Sequence, residues 1–195
     1  MFLSVNLLPN CIQLCYHIGM SHWESINEIG LDNYGIVTTS NAKGLCNTSI
    51  ELPRWAKNGR LENLGRGVYR LSQYVPSEYD QYAEAVAHVG EDSFVYGISV
   101  LAMHNLALVN PSKITVAATA RKRRSLPQWI EVVRPSKNVQ RDDFNGIRSQ
   151  SVADAIRTCK NSLMRERLVS AVIDAKRRGL IDYKEAQELE KELKI

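Results

Sequence analysis

A chain of 195 residues has room for one large domain or two small ones, and 44% hydrophobic with 24% charged residues is the make-up of a soluble globular protein. No apolar run approaches the length of a membrane span, and the four cysteines form no disulfide pattern, which points to reduced thiols and a cytoplasmic setting. The net charge of +4 is modest but uneven. Between Gly35 and Ser72 six basic residues (Lys43, Arg54, Lys57, Arg60, Arg66, Arg70) face two acidic ones (Glu51, Glu62), and a second concentration follows Ala120. Local basic surfaces of this kind attract nucleic acid even when the whole chain is nearly neutral.

Residues 1–19 are apolar but interrupted by Asn6, Pro9, Asn10 and Gln13, and they lack the basic start of a signal peptide. They read as a poorly ordered extension or a mis-set start, with Met20 opening the folded chain. Cys11, Cys15, His17 and His22 are spaced too irregularly for a zinc site, so no metal is expected. Trp23 to Tyr34 has the period of an amphipathic helix, with Trp23, Ile26 and Ile29 inward. Gly35 ends it.

Thr38 or Thr39 can cap a following short helix, with Ala42 and Leu45 inward. Asn47, Thr48 and Ser49 restart the chain as a second helix, in which Leu52, Trp55 and Ala56 form one apolar stripe. Pro53 lies inside this helix and lacks a backbone N–H, so the helix either begins late, near Leu52, or is kinked. Gly59 is the natural residue just past its end, with Lys57 beside the negative pole of the helix. Leu61 to Leu64 and Val68 to Leu71 then read as strands joined at Gly65-Arg66-Gly67. Two helices, a tight turn and a hairpin describe a winged helix-turn-helix over residues 20–74.

The second helix turns Ser49, Arg54, Lys57 and Asn58 away from its apolar stripe, and Arg60, Arg66 and Arg70 lie on or beside the hairpin. With Thr48 they make up the expected DNA-binding set. A helix with a polar, cationic outer face suits the major groove, and an arginine on a wing suits phosphate or the minor groove.

Beyond the linker at Gln73 to Ser77, a second domain is expected over residues 78–195. Glu78 to Val89 reads as a helix, Phe94 to Leu106 as a buried helix, and Lys113 to Ala118 and Gln128 to Val133 as paired strands. Between those strands lies a second basic patch, Arg121, Lys122, Arg123 and Arg124, at the tip of a hairpin or on nucleic acid. Asp142-Asp143 reads as a loop. From Ser149 the chain is helical. Ser151 with Asp154 marks a start, Lys176-Arg177-Arg178-Gly179 an end, and Asp182 with Glu185 a capping box for a final exposed helix. The fold class is therefore α+β: an N-terminal winged helix-turn-helix, then a mixed α/β domain with a helical C-terminus.

The run Thr38-Thr39-Ser40-Asn41-Ala42, the Leu52 to Gly59 helix and Gly67-Val68-Tyr69-Arg70-Leu71 resemble the N-terminal domain of the AbiE-type abortive-infection antitoxins, which are also transcriptional regulators. Tyr96 to Leu106, Pro111 to Val116 and the basic run from Arg121 to Arg124 are similar to successive parts of that family's second domain. The resemblance implies a DNA-binding antitoxin of a type IV toxin–antitoxin, phage-defence system. Such a protein represses its own promoter by binding double-stranded DNA repeats, and it counteracts a nucleotidyltransferase-like toxin without a stable complex. The alternatives are a stand-alone winged-helix regulator whose second domain binds a ligand or dimerises, and a protein-interaction module. No nucleophile elbow, phosphate-binding glycine loop or Cys–His partnership is present, so neither catalysis nor a cofactor is expected.

Overall fold

The structure is a computed structural model and describes residues 21–65, 67–119 and 125–194. The fold is mixed α+β, with helices and two sheets, and the chain divides into two compact units, Met1–Pro76 and Ser77–Ile195. The expected extension, residues 1–19, lies outside the described residues.

In the first unit, α1 (His22–Asp32) starts at a complete capping box. Ser21 N–H donates to Glu24 Oε2 at 2.6 Å, and Glu24 N–H donates to Ser21 Oγ at 3.3 Å. Its inward face is Ile26 and Gly30, with Trp23 half-buried beside them. Ile29, expected inward, is only partly buried. Tyr34 and Gly35 turn the chain at positive φ, and β1 (Ile36–Thr38) follows. The sequence reading missed this strand, whose three residues are too few to show an alternating pattern.

The first helix of the expected pair does not form. Thr38 does cap: Asn41 N–H donates to Thr38 Oγ1 at 3.0 Å, and Thr38 N–H donates to Asn41 Oδ1 at 2.7 Å. Only one turn results, closed by Ala42 N–H to Thr38 O at 3.1 Å. Gly44, at φ +91°, then diverts the backbone, and Lys43 pairs with Cys46 in an isolated bridge. Ala42 is still fully buried, so the turn seats the apolar residue that a helix would have seated.

The second helix, α2 (Thr48–Lys57), is continuous through Pro53, and Leu52, which a following proline biases away from helical geometry, is helical. The expected late start near Leu52 does not occur. Leu52 is fully buried and Trp55 nearly so, and this anchorage overrides the local preference. The C-terminus is a Schellman motif: Gly59 N–H donates to Ala56 O at 3.1 Å and Arg60 N–H to Trp55 O at 2.9 Å, with Gly59 at φ +74°. Then come β2 (Leu61–Gly65) and β3 (Val68–Leu71). The sheet is antiparallel in the order β1-β3-β2, with a register shift between Asn63 and Gly65. Val37, Leu61, Tyr69 and Leu71 close against Ile26, Leu52 and Trp55 to make this unit's core.

The second unit holds α3 (Asp80–Val89), β4 (Phe94–Val95), α4 (Ile98–Met103), β5 (Ile114–Ala117), β6 (Ile130–Val133), β7 (Arg141–Phe144) and β8 (Ile147–Gln150). It ends with α5 (Val152–Thr158), α6 (Arg165–Arg177) and α7 (Tyr183–Leu193). Its sheet runs β6-β5-β4-β8-β7.

Four expectations need correction here. Phe94 to Leu106 is a strand and a helix, because Gly97 at φ 56° and ψ −126° breaks the apolar run. Buried runs of either type look alike in sequence. Next, β5 and β6 do pair, from Ile114↔Ile130 to Ala117↔Val133, but in parallel. Their connection is thus a crossover and not a hairpin. Finally, Asp142 and Asp143 belong to β7, which forms a hairpin with β8 through Asn145-Gly146, both at positive φ as a tight type I′ loop requires, and Ser149 and Gln150, expected to be helical, end β8.

Fully buried Gln150 holds β8 to the neighbouring elements. Its Oε1 accepts from Gly97 N–H at 2.9 Å, and its Nε2 donates to Thr158 Oγ1 at 2.9 Å. The expected caps of α5 and α7 are present at Ser151 and Asp182. The final helix is mainly exposed, as expected, with Ala186, Leu189 and Leu193 buried on its inner face.

Candidate nucleic-acid interface

The outer face of α2 is built by the residues that its core contacts leave over. Leu52 and Trp55 point inward, so Ser49, Ile50, Pro53, Arg54 and Lys57 form a continuous exposed stripe, extended by Asn58 at the C-cap. Thr48 is half-buried at the start of the helix. Ser49 Oγ donates to Asn47 Oδ1 at 2.7 Å, which braces the first turn. His22 Nδ1 lies 3.5 Å from Glu51 Oε2, a contact between the first turn of α1 and the first turn of α2. Of the expected DNA-binding set, the structure brings Ser49, Arg54, Lys57 and Asn58 together on this one face.

The other members fall elsewhere. Arg60 is exposed, but its guanidinium lies 5.0 Å from the Trp23 ring centroid, and Trp23 packs edge-on against Trp55 with centroids 5.4 Å apart. The Arg60 head is thus engaged by the Trp23 ring, a cation–π contact that the sequence spacing does not reveal. Arg70 is half-buried on β3, directly opposite Glu62 on one side and Ile36 on the other. Arg66, and the second patch Arg121, Lys122, Arg123 and Arg124, lie outside the described residues. The glycines flanking Arg66 are described. Gly67 O accepts from Thr39 N–H at 2.9 Å, and a side chain at Gly67 would meet Thr39 Oγ1 at 2.9 Å. The loop end of the hairpin is therefore tied to the turn that precedes α2.

Sequence reasoning passed over Ile50, which stands 61% exposed in the middle of the stripe. The signal was available: Ile50 is out of phase with Leu52, Trp55 and Ala56.

Burial shifts two thiols and one imidazole elsewhere in the chain. Burial, with the Glu51 carboxylate nearby, pushes the Cys46 thiol up, and burial pushes Cys159 up to about 11. Burial, aided by the Arg178 charge, lowers His104 to about 4, so its imidazole is neutral at pH 7. Among the described residues no group of His, Cys, Asp or Glu is arranged to hold a metal ion, and no helix is long and apolar enough to cross a membrane. Of the irregular Cys/His set, only His22 is described. A surface cleft of about 350 Å³ in the second unit is lined by Gln81, Glu84, Lys113 and Trp129 among others.

No protein-family model matches the chain, and no curated protein matches it.

Proposed function

We propose that the first unit is a winged helix-turn-helix that binds double-stranded DNA through α2, and that the chain is an autoregulatory antitoxin of the AbiE type. The observation that carries the DNA-binding half is the single exposed stripe of Ser49, Arg54, Lys57 and Asn58, on a helix anchored by Leu52 and Trp55 and followed directly by a hairpin. The element order α1-β1-turn-α2-β2-β3 and the sheet order β1-β3-β2 suit a winged helix whose middle helix has shrunk to one turn. Lys57 and Arg54 would contact phosphates along the groove, and Arg66 would extend from the wing.

The antitoxin half rests on the sequence resemblance, which runs from about Trp23 to the C-terminus. On that reading the second unit opposes a nucleotidyltransferase-like toxin, and the protein works in the cytoplasm without a cofactor. The rival, a stand-alone regulator that senses a ligand, draws on the cleft beside Trp129.

Two assays test the proposal. In a gel shift, the full chain should retard DNA from the promoter region upstream of its own gene, with affinity falling steeply as salt rises. In co-expression, it should restore growth to cells making the neighbouring toxin. Absence of DNA binding at low salt refutes the first half. Binding without protection refutes the second half and leaves the stand-alone regulator.

A further inference from the structure

We infer that Ile50 is a specificity-determining residue that reads the C5-methyl group of a thymine in the major groove; this rests on the DNA-binding reading of α2. Ile50 stands 61% exposed on an otherwise polar helix face, and its surroundings point to the partner that would cover it. Ile50 sits between Ser49 and Arg54, with exposed Pro53 one turn further on, so a small apolar island is flanked by hydroxyl and cationic groups. A phosphate backbone alone would match the flanks and not the island. The major groove offers both, with phosphates along its rims and the thymine methyl as the apolar group on its floor.

Position agrees with this. Ile50 is the third residue of α2, in the N-terminal part from which recognition helices contact base edges. At 1.5 Å per residue, Arg54 lies about 6 Å and Lys57 about 10 Å further along the axis. In a groove about 12 Å wide, that spacing seats Ile50 over the bases while Lys57 reaches the phosphate rim. Nothing lines up Ser49 or Asn58 for this task, since neither carries an apolar surface of its own.

The test uses the full chain and a duplex selected by it from a random-sequence pool. Each thymine of the bound site is replaced in turn by deoxyuridine, which lacks only the methyl group, and affinity is read by fluorescence anisotropy. The wild-type chain should bind about fourfold more weakly at one or two positions, the value for one buried methyl-sized group. Ile50→Ala should bind the thymine and deoxyuridine duplexes equally, and Ile50→Val should keep part of the difference. The salt slope should be the same for all three proteins, because no phosphate contact changes. A wild-type chain indifferent to every replacement, or an Ile50→Ala chain that stays as sensitive as wild type, overturns the inference while leaving DNA binding intact. A chain that selects no duplex overturns both. Thermal melting separates these outcomes from misfolding, since an exposed Ile50→Ala change should leave the melting temperature nearly unmoved.

Discussion

Gly30→Ala tests the packing that sets α1 against the sheet, and two opposing effects make its sign informative. Gly30 lies inside α1, where alanine is favoured over glycine by about 1 kcal/mol. A Cβ at this position, however, would stand 2.5 Å from Leu71 Cδ1, 2.7 Å from Leu71 Cγ and 3.2 Å from Val37 Cγ2. Leu71 is 3% exposed and Val37 fully buried, so neither can swing into solvent, and the contact with Cγ engages the stem of the leucine as well as its tip. Overpacking of this kind costs about 1–3 kcal/mol, and clashes this close belong in the upper part of that range. The net expectation is a loss of about 1–2 kcal/mol, or several degrees of melting temperature for a unit of this size. Trp23 and Trp55 report on the first unit and Trp129 on the second, so fluorescence-detected urea unfolding in a Trp129→Phe background follows the first unit alone. In a Leu71→Ala background the same glycine substitution should become neutral or stabilising, because the clashing atoms are gone. A Gly30→Ala chain more stable than its parent would refute the close approach of α1 to β3.

Arg54→Ala and Lys57→Ala should each weaken binding to selected and random duplexes alike, and each should lower the salt slope by about one counterion in an affinity-versus-salt series. Arg60→Ala should leave that slope unchanged and cost about 0.5–1 kcal/mol of stability in urea unfolding, since its head packs on Trp23. His104 contributes a pH dependence whose sign follows from its lowered pKa. Between about 4, its folded value, and 6.5, its ordinary one, the unfolded chain binds the extra proton, so stability rises with pH across that window. Acidifying from pH 6.5 to 4 should therefore remove roughly 3 kcal/mol that a His104→Phe chain does not lose, read by urea unfolding at a series of pH values.

Where a local signal and the final contact set coincide, the sequence was readable. The stop of α2 is an example: the backbone N–H groups of Asn58, Gly59 and Arg60 together satisfy the last carbonyls of the helix, and all are neighbours in the chain. So are the capping boxes at Ser21 and Asp182, although only the second was singled out in advance. The Thr38 cap was read correctly and its consequence was not, because a cap starts a helix but does not sustain one, and Gly44 leaves only one turn. Fixing one turn costs more conformational freedom than its first hydrogen bonds return, so helices this short persist only under tertiary support.

The errors in the second unit share a cause of a different kind. Parallel pairing of β5 with β6 is decided by the path of the segment between them and by neighbours far away in sequence. Nothing in Ile114–Ala117 or Ile130–Val133 distinguishes it from a hairpin. The β7–β8 hairpin did carry a local signal in Asn145-Gly146, but its flanks hid it. β7 is an edge strand with Arg141, Asp142 and Asp143 exposed, so it lacks the alternating apolar pattern by which strands are recognised. The cation–π seat of Arg60 was unreadable for a similar reason: Trp23 and Arg60 meet only because α1 and the end of α2 pack on a common core.

The candidate interface depends on that core more than on the helix that displays it. A ten-residue helix is marginal on its own, and Pro53 removes the backbone donor that would have bonded Ser49 O. What fixes α2 is the burial of Leu52 and Trp55 on either side of the proline, together with the C-terminal bond from Arg60 N–H to Trp55 O that leads straight into β2. These anchors occupy the same two turns as Ile50, Arg54 and Lys57, so the direction of the exposed stripe is set by how Leu52 and Trp55 seat against Ile26, Tyr69 and Leu71. A core change that lets Trp55 tilt would rotate the cationic side chains with it, without altering any residue on the outer face. The same logic explains why a proline is tolerated here. Its ring sits on the exposed side, and the apolar surface it adds beside Ile50 belongs to the face offered outward and not to the core.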